Sequence, residues 1–358
     1  MRIALILYGD PHRMTGGFLY DRMLTEYLRR QGDTVEIISL PWLRYGRALF
    51  PRAESLVESR LADFSPEMLL VDELCHPSLF RSCEKIKCSL HCPMIAIVHH
   101  LRSCEDHPAG LKRLYEIVEN KFLSSMDGFI FNSANTQKTV TARIGNKRPG
   151  VVTYPGGDRF GMDLTDDELI ARAVKPGPLN ILFIGALMPR KGLHHLISAL
   201  TGLKAGTWHL TVVGNLNTDR HYAKAIRTQI AAAGLNGSVS LEGEIVDDKL
   251  IDQLKSSHVL AVPSFFEGFG IVYLEGMGFG LPAVAAEAGG AEAIVAHGVN
   301  GYLIPYGDTL LLGAYLGKLA ADREHLTEMG LAALRTYRHH PTWEDTGEKN
   351  ISFLHQFS

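Results

Sequence analysis

The sequence has no apolar run approaching the roughly 18 residues that a membrane-spanning helix requires. Its first apolar run, Ile3-Ala4-Leu5-Ile6-Leu7, is too short for the core of a secretory leader, and no small-residue cleavage site follows it. A surplus of positive charge is missing as well: 36 Lys and Arg stand against 39 Asp and Glu, a formal net charge of −3. That argues against a protein that holds nucleic acid through bulk charge, and no nucleic-acid partner is expected. Cysteine is scarce. The five residues Cys75, Cys83, Cys88, Cys92 and Cys104 crowd together beside His76, His91, His99 and His100. Zinc is one reading of that cluster, but no Cys-x-x-Cys pair occurs in it. Reduced thiols, buried or half-buried, in a cytoplasmic protein fit better, and no metal is expected. The glycine fingerprint G-x-G-x-x-G is also absent, which argues against an ordinary NAD-dependent dehydrogenase.

What remains is ordinary globular composition, 46% apolar and 21% charged. At about 150 residues per domain, 358 residues suggest two domains. Short apolar runs alternate with amphipathic stretches from end to end. Strands are expected at 2–8, 34–39, 68–71, 94–98, 128–132 and 151–154, then at 180–185, 209–214, 238–242, 258–262, 282–286 and 300–304. Helical spacing lies between them, as in Leu19, Met23, Leu24, Tyr27 and Leu28, and in Leu193, Leu196, Ile197 and Leu200. This alternation predicts α/β architecture: two doubly wound, parallel-sheet, Rossmann-like domains facing a central cleft. Residues 155–179 hold the densest cluster of Pro and Gly and mark the boundary. The expected limits are 1–170 for an N-terminal domain and 171–338 for a C-terminal domain. Residues 339–358 are expected to return to the first domain as a helix, which opens on a capping box at Thr342-Trp343-Glu344-Asp345 and ends near Leu354.

The richest stretch is 259–275, VLAVPSFFEGFGIVYLE. A buried strand ends at Pro263-Ser264, a Gly-containing turn follows, and a helix starts near Gly270-Ile271. The unsatisfied N–H groups at such a start make an anion site suited to a diphosphate. Glu267 in the turn would point into the same cavity. Glu275, on an otherwise apolar helix, needs a partner: either the hydroxyls of a ribose or a neighbouring Lys or Arg. Ile181-Leu182-Phe183-Ile184-Gly185 followed by Arg190-Lys191-Gly192 describes a second anion site, where the basic pair meets phosphate or is simply exposed. The first strand leads to Gly16-Gly17, where a backbone without Cβ can approach a ligand. The strand 94–98 delivers His99 and His100 to its carboxyl end, as ligand groups or as satisfied core histidines.

Together these elements resemble the retaining glycosyltransferases of the GT-B fold, family 4 (glycosyl transferases group 1). The resemblance covers essentially the whole chain and is strongest from 181 to 304. Its signature is Glu-x7-Glu, here Glu267 to Glu275. It continues through Gly280-Leu281-Pro282 and Ala288-Gly289-Gly290-Ala291-Glu292 to Gly298-Val299-Asn300-Gly301-Tyr302. The resemblance implies that Glu267 faces the donor sugar, Glu275 holds the ribose, and Gly268, Phe269, Gly270 and Ile271 line the donor site. It likewise places Arg190 and Lys191 at the diphosphate, Gly16 and Gly17 in the N-terminal glycine pair, and His99 at its strand end. Gly156-Gly157-Asp158 stands where the family has Asn-Gly-Val-Asp, and Gly185-Ala186 where it commonly has Gly-Arg, so one phosphate-binding cation is missing.

The implied activity is a hexosyltransferase that moves sugar from a UDP- or GDP-linked donor to an acceptor hydroxyl with retention. No cofactor is implied beyond the donor substrate. The absence of Asp-x-Asp agrees with a metal-independent site. The acceptor, a glycan, a lipid-linked or a small molecule, is not legible. A nucleotide-sugar epimerase and a non-catalytic nucleotide-sugar-binding protein of the same fold are the alternatives. Residues 41–61 mix Arg44, Arg47, Arg52 and Arg60 with Trp42, Leu43, Tyr45, Leu49 and Phe50. A loop and helix packed beside the cleft is preferred there to an acceptor patch or a peripheral contact at the inner face of the membrane.

Overall fold

The computed structural model describes residues 1–10, 15–50, 54–161 and 164–357. The chain forms two compact units: Met1–Gly156 with Pro341–Ser358, and the intervening Gly157–His340. The expected limits stood at 170 and 338.

The first unit holds six strands: β1 Arg2–Tyr8, β2 Thr34–Leu40, β3 Met68–Asp72, β4 Met94–Val98, β5 Gly128–Phe131 and β6 Gly150–Val152. All pair in parallel, in the order β2-β1-β3-β4-β5-β6. Strands β3 and β4 are buried along their whole length, as continuous apolar runs covered by helices on both faces must be. The second unit holds β7 Leu179–Ile184, β8 Trp208–Val213, β9 Val239–Gly243, β10 Val259–Val262, β11 Ala283–Ala286 and β12 Gly301–Ile304. These too are parallel, ordered β12-β11-β10-β7-β8-β9. All twelve expected strands are present, 2–8 and 94–98 with the expected ends and the others displaced by one or two residues, because the flanking turn residues and not the apolar runs fix where pairing stops.

Both sheets reverse their strand order once. The reversal falls between β1 and β3 in the first unit and between β7 and β10 in the second. Crossover helices leave to opposite faces on either side of such a point, which opens a crevice at the carboxyl ends of the two strands. The loops after β1, β3, β7 and β10 therefore carry the residues of interest.

The helix Gly16–Arg30 buries Leu19, Leu24, Tyr27 and Leu28 and is capped by the Thr15 side chain. The helix Trp343–Leu354 opens on the reciprocal Thr342–Asp345 capping box and lies on the first unit. Its Gly347 is pressed against the Tyr27 ring, and its Asn350 shares a buried network with the Tyr20 and Thr153 hydroxyls.

Two expectations need correction. Cys75, Cys83 and Cys92 are buried and Cys104 is half-buried, but Cys88 is exposed on the helix Cys83–Leu90. The 41–61 segment is only partly packed: Ala48 is buried, whereas Trp42 is 55% and Phe50 65% exposed. The short helix Tyr45–Ala48 offers too small an inward face to cover both aromatics. Arg52 lies outside the described residues.

Candidate functional site

In the second unit, β10 ends at Val262 and the chain turns through Glu267 into the helix Ile271–Gly278. Gly270 is the N-cap, at φ +90°, a left-handed conformation that a side chain resists. A Cβ there would also stand 2.7 Å from Tyr273 Cδ2. The helix is buried on every side, and the Tyr273 hydroxyl anchors it to the Val262 carbonyl oxygen at 2.7 Å. Its first-turn N–H groups lie at the end nearest Gly268 and Phe269.

Glu267 lies at this helix start. Lys191, in the 3₁₀ turn Pro189–Lys191 after β7, donates to Glu267 Oε1 at 2.6 Å. Arg190 Nη1 donates to the Phe266 carbonyl oxygen at 2.6 Å and stands 3.9 Å from Glu267 Oε2. Burial pushes the Glu267 carboxyl up, yet Lys191 and Arg190 outweigh it and hold it at about 2. For Lys191 burial outweighs its partner, and its ammonium is pulled below the ordinary lysine value. The structure thus brings Glu267, Arg190, Lys191, Gly268, Phe269, Gly270 and Ile271 to one place. The Lys191 stem lies over Gly185, where a Cβ would come within 3.3 Å of it. Arg190 is committed in part to the 266 carbonyl, so the basic pair is not two equivalent surface cations.

Glu275, just over one turn into the helix, is buried and has a protein partner. Arg159 Nη1 donates to Glu275 Oε1 at 3.1 Å, and the same guanidinium pairs with Asp247. Of the two partners expected for this carboxylate, the structure supplies the arginine. Among the described residues, Glu275 Oε2 accepts no hydrogen bond. Burial raises the Glu275 carboxyl above its ordinary value despite Arg159.

In the first unit, His99 follows β4 and is buried. Its Nε2 lies 2.9 Å from Asp21 Oδ1, and its N–H donates to Glu73 Oε2 at 2.8 Å. Gly17 makes this possible. A Cβ there would stand 3.3 Å from His99 Cδ2, so the missing side chain is where the helix Gly16–Arg30 meets the imidazole. Gly16, beside it, is exposed. Burial works against the imidazolium, but Asp21 prevails and raises the His99 pKa. Burial and the Asp21 charge push Asp72 up, and burial and Asp72 push Glu73 up. Ligand atoms of Asp21, Asp72 and His99 lie within 4.8 Å of one another, a spacing that could hold a cation, although Asp21 already engages the imidazole. His100 instead pairs with Glu105 at 3.1 Å.

Sequence reasoning missed Asp21 and Arg159. Asp21 was detectable: it sits at helical spacing with the buried Leu24 and Leu28, where a charge needs a partner. Arg159 gave no such sign, because its partner lies 116 residues away.

Residues 166–335 match the family model described as glycosyl transferases group 1. The chain is 26% identical over 257 residues to a D-inositol 3-phosphate glycosyltransferase of Nocardia farcinica, covering 68% of this chain and 56% of that protein. It spans less than two thirds of the length of the first curated relatives it matches, 56%, 61% and 59%. Its fold is that of sucrose-phosphate synthase from Thermosynechococcus elongatus, with TM-score 0.82, 18% identity and coverage of 99% and 98% of the two chains. Anabaena HepE, solved with UDP-glucose, aligns with TM-score 0.78 and 20% identity over 99% and 100%. The architecture is GT-B, built from two Rossmann-like units.

Proposed function

From the match of residues 166–335 to the glycosyl transferases group 1 model, we propose that the chain is a glycosyltransferase that transfers a hexosyl group from a UDP- or GDP-linked sugar to an acceptor hydroxyl. The transfer retains configuration and needs no metal ion. The observation that carries this reading is the convergence of Glu267, Lys191 and Arg190 on the helix start at Gly270, at the carboxyl ends of β7 and β10.

The bond from the anomeric carbon to the diphosphate oxygen breaks, and negative charge grows on the leaving group. Lys191, Arg190 and the first-turn N–H groups stabilise that charge more in the transition state than before it. Glu267, ionised at any working pH, faces the developing oxocarbenium-like carbon. Glu275 offers Oε2 to the ribose while Arg159 fixes Oε1. His99, held by Asp21, is the candidate catalytic group of the first unit. The HepE structure with UDP-glucose supports a nucleotide sugar as donor. We place the reaction in the cytoplasm, with Trp42, Phe50, Arg44 and Arg47 as a peripheral contact with the inner membrane face. The acceptor is a glycan, a lipid-linked or a small molecule.

Incubation with radiolabelled UDP-glucose and GDP-mannose tests the reading. Transfer or slow hydrolysis is expected with one of them and survives EDTA; loss to chelator with recovery on Mg²⁺ or Mn²⁺ overturns metal independence. Glu267→Ala should abolish turnover with nucleotide binding nearly intact, whereas Glu275→Ala should weaken binding of the free nucleoside diphosphate. The reverse pattern would mean that the two roles are misassigned.

A further inference from the structure

Arg102 lies three residues beyond His99, in the 3₁₀ turn Arg102–Cys104 at the carboxyl edge of the first sheet. Its guanidinium rests over two tyrosine rings at once, 5.4 Å from the centroid of Tyr45 and 5.2 Å from that of Tyr115. The rings themselves meet edge to face at 4.4 Å. Tyr45 comes from the segment after β2, and Tyr115 from the helix Ala109–Ser124. Three separate elements therefore build this seat.

Among the described residues the Arg102 side chain donates no hydrogen bond, and its Nε is buried. The neighbouring carboxylates are already matched. Glu119 takes Arg143 Nη1 at 2.8 Å, the Ser103 N–H at 3.0 Å and the Ser103 hydroxyl. Glu105 takes His100 at 3.1 Å and stands 3.5 Å from His107. The Tyr45 hydroxyl is engaged with His76 at 3.1 Å. The edge of a half-buried guanidinium thus carries a full positive charge with no carboxylate assigned to it. A forked donor seated against aromatic rings is suited to two oxygens of one anionic group.

We propose that Arg102, seated on Tyr45 and Tyr115, is a subsite for an anionic group, phosphate or carboxylate, carried by the sugar acceptor. This rests on the glycosyltransferase reading for the word acceptor, but not for the anion. The tyrosine rings hold the cation in place, and Tyr45, the half-buried one of the two, offers an apolar edge to a sugar.

The test is direct binding, by calorimetry and ligand-observed NMR, of glucose, glucose 6-phosphate and glucuronate to the full chain without donor. The two anionic sugars should bind at least about tenfold more tightly than glucose, the worth of one charge-assisted bond. Arg102→Gln should erase that preference, and Arg102→Lys, which keeps the charge and loses the fork, should retain part of it. Tighter glucose 6-phosphate than glucuronate assigns the subsite to phosphate, and the reverse assigns it to a uronate. Equal binding of all three sugars, or an unaltered preference in Arg102→Gln, overturns the proposal. If Arg102→Gln does not fold, the drop in Arg102→Lys decides. UDP and GDP binding are measured on the same samples and should not change in the Arg102 variants. Failure of the wild type to bind either nucleotide would remove the donor reading and leave the anion result standing.

Discussion

Glu267 and Glu275 in the second unit each meet a cation, Lys191 and Arg159, whereas in the first unit three buried carboxylates, Asp21, Asp72 and Glu73, surround a single histidine. In the first unit, burial and neighbouring carboxylate charge raise Asp72 and Glu73 above the ordinary carboxylate range, whereas in the second Lys191 and Arg190 hold Glu267 below it.

The largest expected effect comes from breaking the fixed pair. Lys191→Ala strands Glu267 in a buried site, and removal of one partner of such a pair costs about 3–5 kcal/mol. Urea unfolding of Lys191→Ala should show that loss, and adding Glu267→Gln should restore most of it. Nucleoside diphosphate binding should fall by about ten- to a hundredfold, one charge-assisted bond lost. Wild-type stability in Lys191→Ala would remove the distinction between the units.

Next in size is Asp21→Asn, which removes a bond to a charged group worth about 1.5–3 kcal/mol. Its size depends on pH. Folding raises the His99 pKa, so this contribution is fully present below the ordinary histidine value of about 6.5 and is lost as pH rises through the folded one. The urea-midpoint gap between wild type and Asp21→Asn should accordingly be wide at pH 5.5 and narrow at pH 9. Glu267 behaves oppositely. Depressed to about 2, it contributes above the ordinary carboxylate value and loses that contribution only as pH falls through about 2. A gap that stays constant with pH would show that Asp21 acts only by shape.

The smallest effect belongs to Arg159→Gln. Without the guanidinium, the Glu275 carboxyl rises further and is a poorer acceptor for ribose. Nucleoside diphosphate affinity should weaken by about threefold at pH 8 and by more at pH 6. Tighter binding would instead identify Arg159 as a competitor for the site.

These predictions also mark what the sequence disclosed. The strands were legible because parallel strands buried on both faces read as unbroken apolar runs, and the last helix because Thr342 and Asp345 advertise its start. The Glu267 to Glu275 motif pointed to the turn and helix where Lys191, Arg190 and Arg159 gather. The pairings themselves were hidden: Lys191 and Glu267 lie 76 residues apart, and each could have faced solvent. Trp42 and Phe50 ran against the expectation of burial, since a four-residue helix at Tyr45–Ala48 cannot turn two flanking aromatics inward together. Arg102 was invisible because its seat is assembled from three elements, none unusual alone.

The helix Trp343–Leu354 carries a consequence for biogenesis. Because it packs on Gly16–Arg30 through Gly347 and ties Asn350 to Tyr20 and Thr153, the first unit is discontinuous in the chain. On the ribosome, Gly157–His340 emerges as one uninterrupted stretch and can complete its sheet while the first unit still lacks a buried layer. The earlier-made half is thus finished last. Until then the Tyr20 and Thr153 hydroxyls wait without Asn350, and the growing polypeptide exposes the face of Leu24 and Tyr27 to whatever chaperone attends it.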